Sequence, residues 1–190
     1  NAYNLQRFHL VGHDWGSSVG WAFIAEHPER LYSWTSLSIP HMKAFQEAYR
    51  SDFDQQRRSK YIKFFNMPFF PEFYLSYKGY NNLKNIWSAH DDEEKEAYLS
   101  VFRQSGALRS ALNWYRANIG RHRNLTDHIN FGIVEVPSLL IWGNMDMAIG
   151  RKSIVLNKQY MAGPYKLLEL YAGHWLIQES FKDVSKAIIK

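Results

Sequence analysis

The sequence predicts an α/β fold, an open sheet of parallel strands with helices packed on it and a helical insertion between its two halves. Three observations carry this. Strand-like runs at residues 8–11 and 31–39 flank a helical stretch at the spacing of a βαβ unit. Strand signals then vanish from His41 to Phe131, where helical patterns rich in Tyr, Phe and Arg take over. They return at residues 136–143 and 165–170, so residues 1–40 and 131–190 are expected to form the core and residues 41–130 the insertion.

Taken in order, the apolar run Phe8-His9-Leu10-Val11 meets Gly12-His13-Asp14-Trp15-Gly16 and turns helical at once. This has the form of a nucleophile elbow, a turn so sharp that the apex residue is strained and exposed while its neighbours two positions away must be small, here Gly12 and Gly16. Residues 17–27 follow as a helix whose Val19, Trp21, Ala22, Phe23, Ile24 and Ala25 leave it apolar nearly all round, as a buried helix requires, and Pro28 ends it. Residues 31–39 alternate large apolar with small polar side chains and stop at Pro40, which reads as the next parallel strand. Within the insertion, Met67-Pro68-Phe69-Phe70-Pro71 breaks the helical pattern. Residues 88–94 read as a helix start whose acidic residues complement the dipole, and that run is a solvated face and not a metal site. Beyond the insertion, the run at 136–143 lies between Pro137 and Gly143 as a buried parallel strand, 165–170 is another, and 181–189 closes the chain as an amphipathic helix.

Composition excludes several function classes. With 46% hydrophobic and 16% aromatic residues in 190, the chain can bury a sizeable core, so disorder is not expected. It has no cysteine, hence no disulfide or thiolate metal site; no cofactor and no metal are expected, and no apolar run is long enough for a membrane span. The net charge of +5 is spread along the chain and interleaved with carboxylates, which argues against nucleic acid as a partner. Asn1-Ala2-Tyr3-Asn4-Leu5 is no signal peptide and no initiator start, so the chain is expected to begin within a longer polypeptide; the compartment stays open, with the cytoplasm favoured.

Candidate functional side chains follow three strands: Asp14, Asp146 and His174. Groups at the carboxyl ends of parallel strands converge on one crevice although far apart in sequence. A carboxylate at the elbow apex is ionised at neutral pH and needs no base to attack an sp3 carbon. The ester so formed needs a water activated by histidine. Other readings compete. Asp14 could merely cap the following helix; Asp127 and Asp183 rival Asp146, although only Asp146 directly follows a strand; His13 suits a structural hydrogen bond. Trp15 would offer its backbone N–H to an oxyanion and its indole to the pocket.

The order of nucleophile, acid and histidine is that of the α/β-hydrolases, and the chain resembles their epoxide hydrolase group from the nucleophile strand to the C-terminus. Gly12-His13-Asp14-Trp15-Gly16 is similar to that group's nucleophile motif, Gly143-x-x-Asp146 to its acid loop and Gly173-His174-Trp175 to its histidine motif. Ser59-Lys60-Tyr61-Ile62-Lys63-Phe64-Phe65 and Ala111-Leu112-Asn113-Trp114-Tyr115-Arg116 are similar to its helical lid. The resemblance implies that Tyr61 and Tyr115 lie over the nucleophile. Two phenols there would stabilise the alkoxide of an opening epoxide. Most of the 12 tyrosines, Tyr74, Tyr77 and Tyr80 included, are expected to be packing residues. Lid residues Phe64, Phe65, Met67, Phe69 and Trp114 imply a small apolar epoxide as substrate.

Two alternatives stay open. A haloalkane dehalogenase would use Asp14 with the Trp15 indole holding the halide, and a non-catalytic binding module would keep the pocket without turnover. The resembled group also carries a His-Gly-x-Pro oxyanion loop and further strands ahead of the elbow, and neither occurs here. The resemblance therefore implies a partner, the missing N-terminal segment of the same protein, and makes the elbow strand a sheet edge.

Overall fold

The structure is a computed structural model that describes residues 4–87, 90–119 and 128–189. The chain divides into two compact units, residues 1–59 with 129–190, and residues 60–128.

In the first unit, β1 (Phe8–His13), β2 (Leu31–Leu37), β3 (Ser138–Gly143) and β4 (Tyr165–Leu170) form one sheet in the order β1-β2-β3-β4, all parallel. Each strand lies where an apolar or alternating run is closed by a turn former. β1 pairs only with β2 among the described residues, so the elbow strand is an edge, and Val11 on it is 45% exposed. α1 (Trp15–Glu26) covers one face. Its Trp21 and Ile24 pack with Leu31, Trp34, Phe131, Val134 and Val136 into one core cluster. α1 is not buried all round as expected: Val19 is 54% exposed, because the described part of the sheet meets only one side of the helix. A second cluster joins Leu37, Ile141, Ala172, Leu176 and Val184.

α2 (Met42–Ser51) and α3 (Phe53–Arg58) belong to this first unit, so the units divide at residue 60 where the sequence expectation began the insertion at 41. The buried Ala44 and Ala48 of α2 and the buried Gln55 of α3 hold them there.

The second unit is helical: α4 (Lys60–Phe65), α5 (Phe70–Lys84), α6 (Asp92–Phe102) and α7 (Ala107–Asn118). The expected break at Pro68 separates α4 from α5. A second break, which the sequence reading missed, crosses α5 at Tyr77–Tyr80, where Lys78, Gly79 and Tyr80 all adopt positive φ. The Asp91 carboxylate caps α6 by accepting from Glu94 N–H at 2.8 Å; Ser88 and Ala89 of the predicted start lie outside the described residues. Arg116 is the tie of this unit. It donates to both oxygens of Glu72 at the start of α5, to the carbonyl of Phe65 at the end of α4, and to that of Met67.

After the insertion the chain adds α8 (Arg151–Asn157), α9 (Leu176–Glu179) and α10 (Phe181–Ile189) to the first unit. Among the described residues no helix is long and apolar enough to cross a membrane.

Candidate active site

The β1-to-α1 turn puts Asp14 at its apex with φ 52° and ψ −122°, a conformation that L-residues seldom adopt. The turn is held from both sides. Ser17 and Ser18 donate their backbone N–H to the Asp14 carbonyl, and the buried Ser17 hydroxyl lies 2.6 Å from the Gly12 carbonyl and 3.1 Å from that of Leu37. A Cβ at Gly12 would come within 2.6 Å of the Gly16 carbonyl oxygen, so glycine is required there. Gly16 does not share that need. A Cβ at Gly16 meets nothing within 4 Å outside its own helix backbone among the described residues, which corrects the expectation that both positions must be small.

Asp14 occupies the position of a helix cap without making a capping hydrogen bond. Its carboxylate faces His174, with Oδ1 3.2 Å from Nε2, and receives the N–H of Trp15. On the other side of the ring, His174 Nδ1–H donates to Asp146, 3.0 Å from Oδ2 and 3.1 Å from Oδ1. Asp146 is fully buried just past β3, in a turn where its Oδ1 also accepts the N–H groups of Ala148 and Ile149. The loop carrying His174 is held by Glu179, whose carboxylate accepts the N–H groups of Gly173 and Trp175, one on either side of the histidine.

Electrostatics follow from this geometry. Burial alone would push the His174 imidazole down; the hydrogen bonds and charges of Asp14 and Asp146 outweigh it and hold the ring up at about 10. Burial pushes Asp14 up, but the His174 hydrogen bond and charge, with the Trp15 amide, leave it below the usual carboxylate range. At neutral pH the site is therefore an imidazolium between two carboxylates. Burial, then the His174 charge, lowers His13. Neutral His13 donates Nε2–H to the His174 carbonyl at 2.9 Å, the structural role weighed for it.

Asp183 is exposed at the start of α10 and does not join the site, and Asp127 lies outside the described residues. In the second unit the rings of Tyr61 and Tyr115 meet edge to face at 6.0 Å, with Phe65 packed against both at 5.4 and 5.0 Å. Phe64 packs on Phe65, Phe70 and Tyr74, whereas Trp114 is 46% exposed. No group of three or more His, Asp or Glu able to hold a metal occurs among the described residues. Glu179 is the residue of this site that sequence reasoning missed. The only trace was the proximity of Glu179 to Gly173-His174-Trp175, one helical turn on.

Comparison with known proteins gives the same outline. The family described as alpha/beta hydrolase fold matches residues 1–180. The chain is 33% identical to Epoxide hydrolase 4 of Homo sapiens over 94% of its own length and 51% of the relative's, and 30% identical to Epoxide hydrolase 3 of Xenopus tropicalis over 94% and 51%. It thus spans about half the length of these curated relatives. Its fold is similar to that of a point mutant of an epoxide hydrolase from Bacillus megaterium, with a TM-score of 0.87 at 22% identity, covering 99% of this chain and 70% of that one.

Proposed function

Because the chain belongs to the α/β-hydrolase fold family, we propose that its strand-end residues act as an epoxide hydrolase, opening an apolar epoxide to a vicinal diol through an ester on Asp14. The observation that carries this reading is the position of His174, between Asp14 at 3.2 Å and Asp146 at 3.0 Å, with Asp14 on a strained apex. A carboxylate at that apex can attack a saturated carbon and leave an ester that a water activated by histidine can cleave.

The first half-reaction needs no base. An Asp14 oxygen forms a bond to an epoxide carbon as the ring C–O bond breaks, and the alkoxide takes a proton from Tyr61 or Tyr115, the phenols that the resemblance assigns to the lid. In the second, Asp14 is an uncharged ester. His174 has then lost one of the two charges that held its proton, so its proton affinity falls. The proton passes by way of solvent to the phenolate left by the first step, which restores the phenol and leaves Nε2 free to act as a base. Water gives a proton to Nε2 while its oxygen attacks the ester carbonyl, and the oxyanion accepts a hydrogen bond from the Trp15 N–H. On collapse the leaving alkoxide takes the Nε2 proton to become the diol, and Nε2 takes the remaining acid proton of Asp14, which restores the carboxylate and the imidazolium. Asp146 keeps Nδ1 protonated and stabilises the imidazolium. No cofactor is needed in either step.

The test is intact-protein mass spectrometry of the full-length protein with a small aryl epoxide. His174→Gln should gain the mass of one substrate, mapped to Asp14, and stall; Asp14→Asn should gain none. Free turnover by His174→Gln, or an adduct elsewhere, would reject the assignment. Halide release from haloalkanes without diol formation would favour the dehalogenase, and tight binding with no adduct a binding module.

A further inference from the structure

We infer that Gln55 and Arg58 of α3 are positioning residues for the Asp146–His174 pair, an inference that rests on the proposed function only for the step it affects. α3 is a six-residue helix, Phe53-Asp54-Gln55-Gln56-Arg57-Arg58, with no apolar face to bury; Phe53 on it is 78% exposed. What it does bury, completely, is an amide. The Gln55 Nε2 donates to the Ala148 carbonyl at 2.8 Å and to the Ser59 hydroxyl at 3.1 Å, while its Oε1 accepts the N–H of Gly150 at 2.8 Å. Arg58 Nη1 donates to the backbone carbonyl of Asp146 itself. Its Nε is held by the Asp54 carboxylate at 2.7 Å.

These contacts fall on the turn that aims the acid. Ala148 gives its N–H to Asp146 Oδ1 and takes the Gln55 amide on its carbonyl, so a continuous line of hydrogen bonds runs from Gln55 through Ala148 and Asp146 to His174 Nδ1. The approach is close enough to leave no water layer. A Cβ on Gly150 would stand 3.1 Å from Asp54 Oδ2 and 3.4 Å from Gln55 Oε1. Without Gln55, a buried carbonyl and a buried N–H of the acid loop lose their partners together, and the loop must shift to find water. Such a shift moves Asp146, whereas Asp14 stands on the separately braced elbow. The two half-reactions should therefore separate.

The experiment is rapid-quench mass spectrometry of the full-length protein with an aryl epoxide, resolving ester formation from ester breakdown, alongside the NMR signal of the His174 Nδ1 proton. In Gln55→Leu and Arg58→Met, formation should stay within about twofold of wild type and breakdown should slow by roughly 10- to 100-fold, the scale of a misplacement of about 1 Å. The Nδ1 proton signal should shift or broaden, and Arg58→Lys, which keeps a donor for the Asp146 carbonyl, should restore breakdown to within about threefold. Should Gln55→Leu fail to fold, Arg58→Met leaves the buried amide intact and carries the test. Folded variants with wild-type breakdown and an unchanged proton signal, or with both steps slowed equally, would overturn the inference. If wild type forms no ester with any epoxide, the proposed function fails, and the Nδ1 signal still decides whether α3 positions the pair.

Discussion

Replacing Asp14 by Asn should lower the proton affinity of His174 by an amount that the geometry sets. The charge removed sits 3.2 Å from Nε2. Unit charges at that separation interact by roughly 5 kcal/mol at an effective dielectric constant of about 20, and at about 1.4 kcal/mol per pKa unit that is nearly four units. Water screens part of it, since the Asp14 side chain keeps 32% of its exposure. About half should survive, moving the His174 midpoint from about 10 to about 8. The assay is a pH titration of the His174 imidazole by 1H–15N NMR in the two full-length proteins. Because the folded-state value lies above the ordinary 6.5, protonated His174 stabilises the fold in full below pH 6.5, and this stabilisation fades as pH rises through about 10. In Asp14→Asn it should be gone by about pH 8. A midpoint that stays near 10 would show that Asp14 does not hold the proton, and the switch of His174 from acid to base on esterification would lose its cause.

Other outcomes follow from the same structure. Gly12→Ala should cost about 2 kcal/mol or more in urea unfolding because its Cβ meets backbone at 2.6 Å, whereas Gly16→Ala should be neutral or stabilising by up to about 1 kcal/mol; equal effects would refute the distinction. Tyr61→Phe and Tyr115→Phe should each slow ester formation, and the pair together should nearly abolish it; a double variant at wild-type rate would remove the tyrosines from the mechanism. Glu72→Gln should destabilise the protein by about 1–2 kcal/mol, read by thermal unfolding, by weakening a two-pronged bond to Arg116 whose partners are 18% and 22% exposed. No change there would show the tie to be idle.

The strands were legible because each is an apolar or alternating run closed by Pro or Gly, and β4 occupies the very residues read as a strand. Asp14, Asp146 and His174 could be singled out because each stands just past a strand, where the parallel arrangement brings side chains together whatever their separation in sequence. What was illegible depends on contacts without local pattern. Gln55 sits in a run of polar residues that reads as surface, and only the acid loop, more than 90 residues later, gives its amide a reason to be buried. The membership of α2 and α3 in the sheet unit went unread for the same cause. Lys78-Gly79-Tyr80 held one glycine as a signal, yet glycines inside helices are common enough that the break in α5 needed the backbone itself. The freedom of Gly16 shows the converse: a motif rule names a small residue where this chain's described neighbours leave room.

The bracing of the elbow has a consequence for how such a site can change. The hydrogen bonds that set the turn run between main-chain groups or from the Ser17 hydroxyl, and the Asp14 side chain takes part in none of those from Ser17 and Ser18. Any residue other than glycine pays a similar strain of about 1–3 kcal/mol for the apex backbone. Aim is thus inherited from the scaffold and reactivity from a single replaceable side chain. A lineage could exchange carboxylate for hydroxyl or thiol at position 14 and keep its histidine within reach, altering which bonds are attacked without rebuilding the turn that delivers the attack.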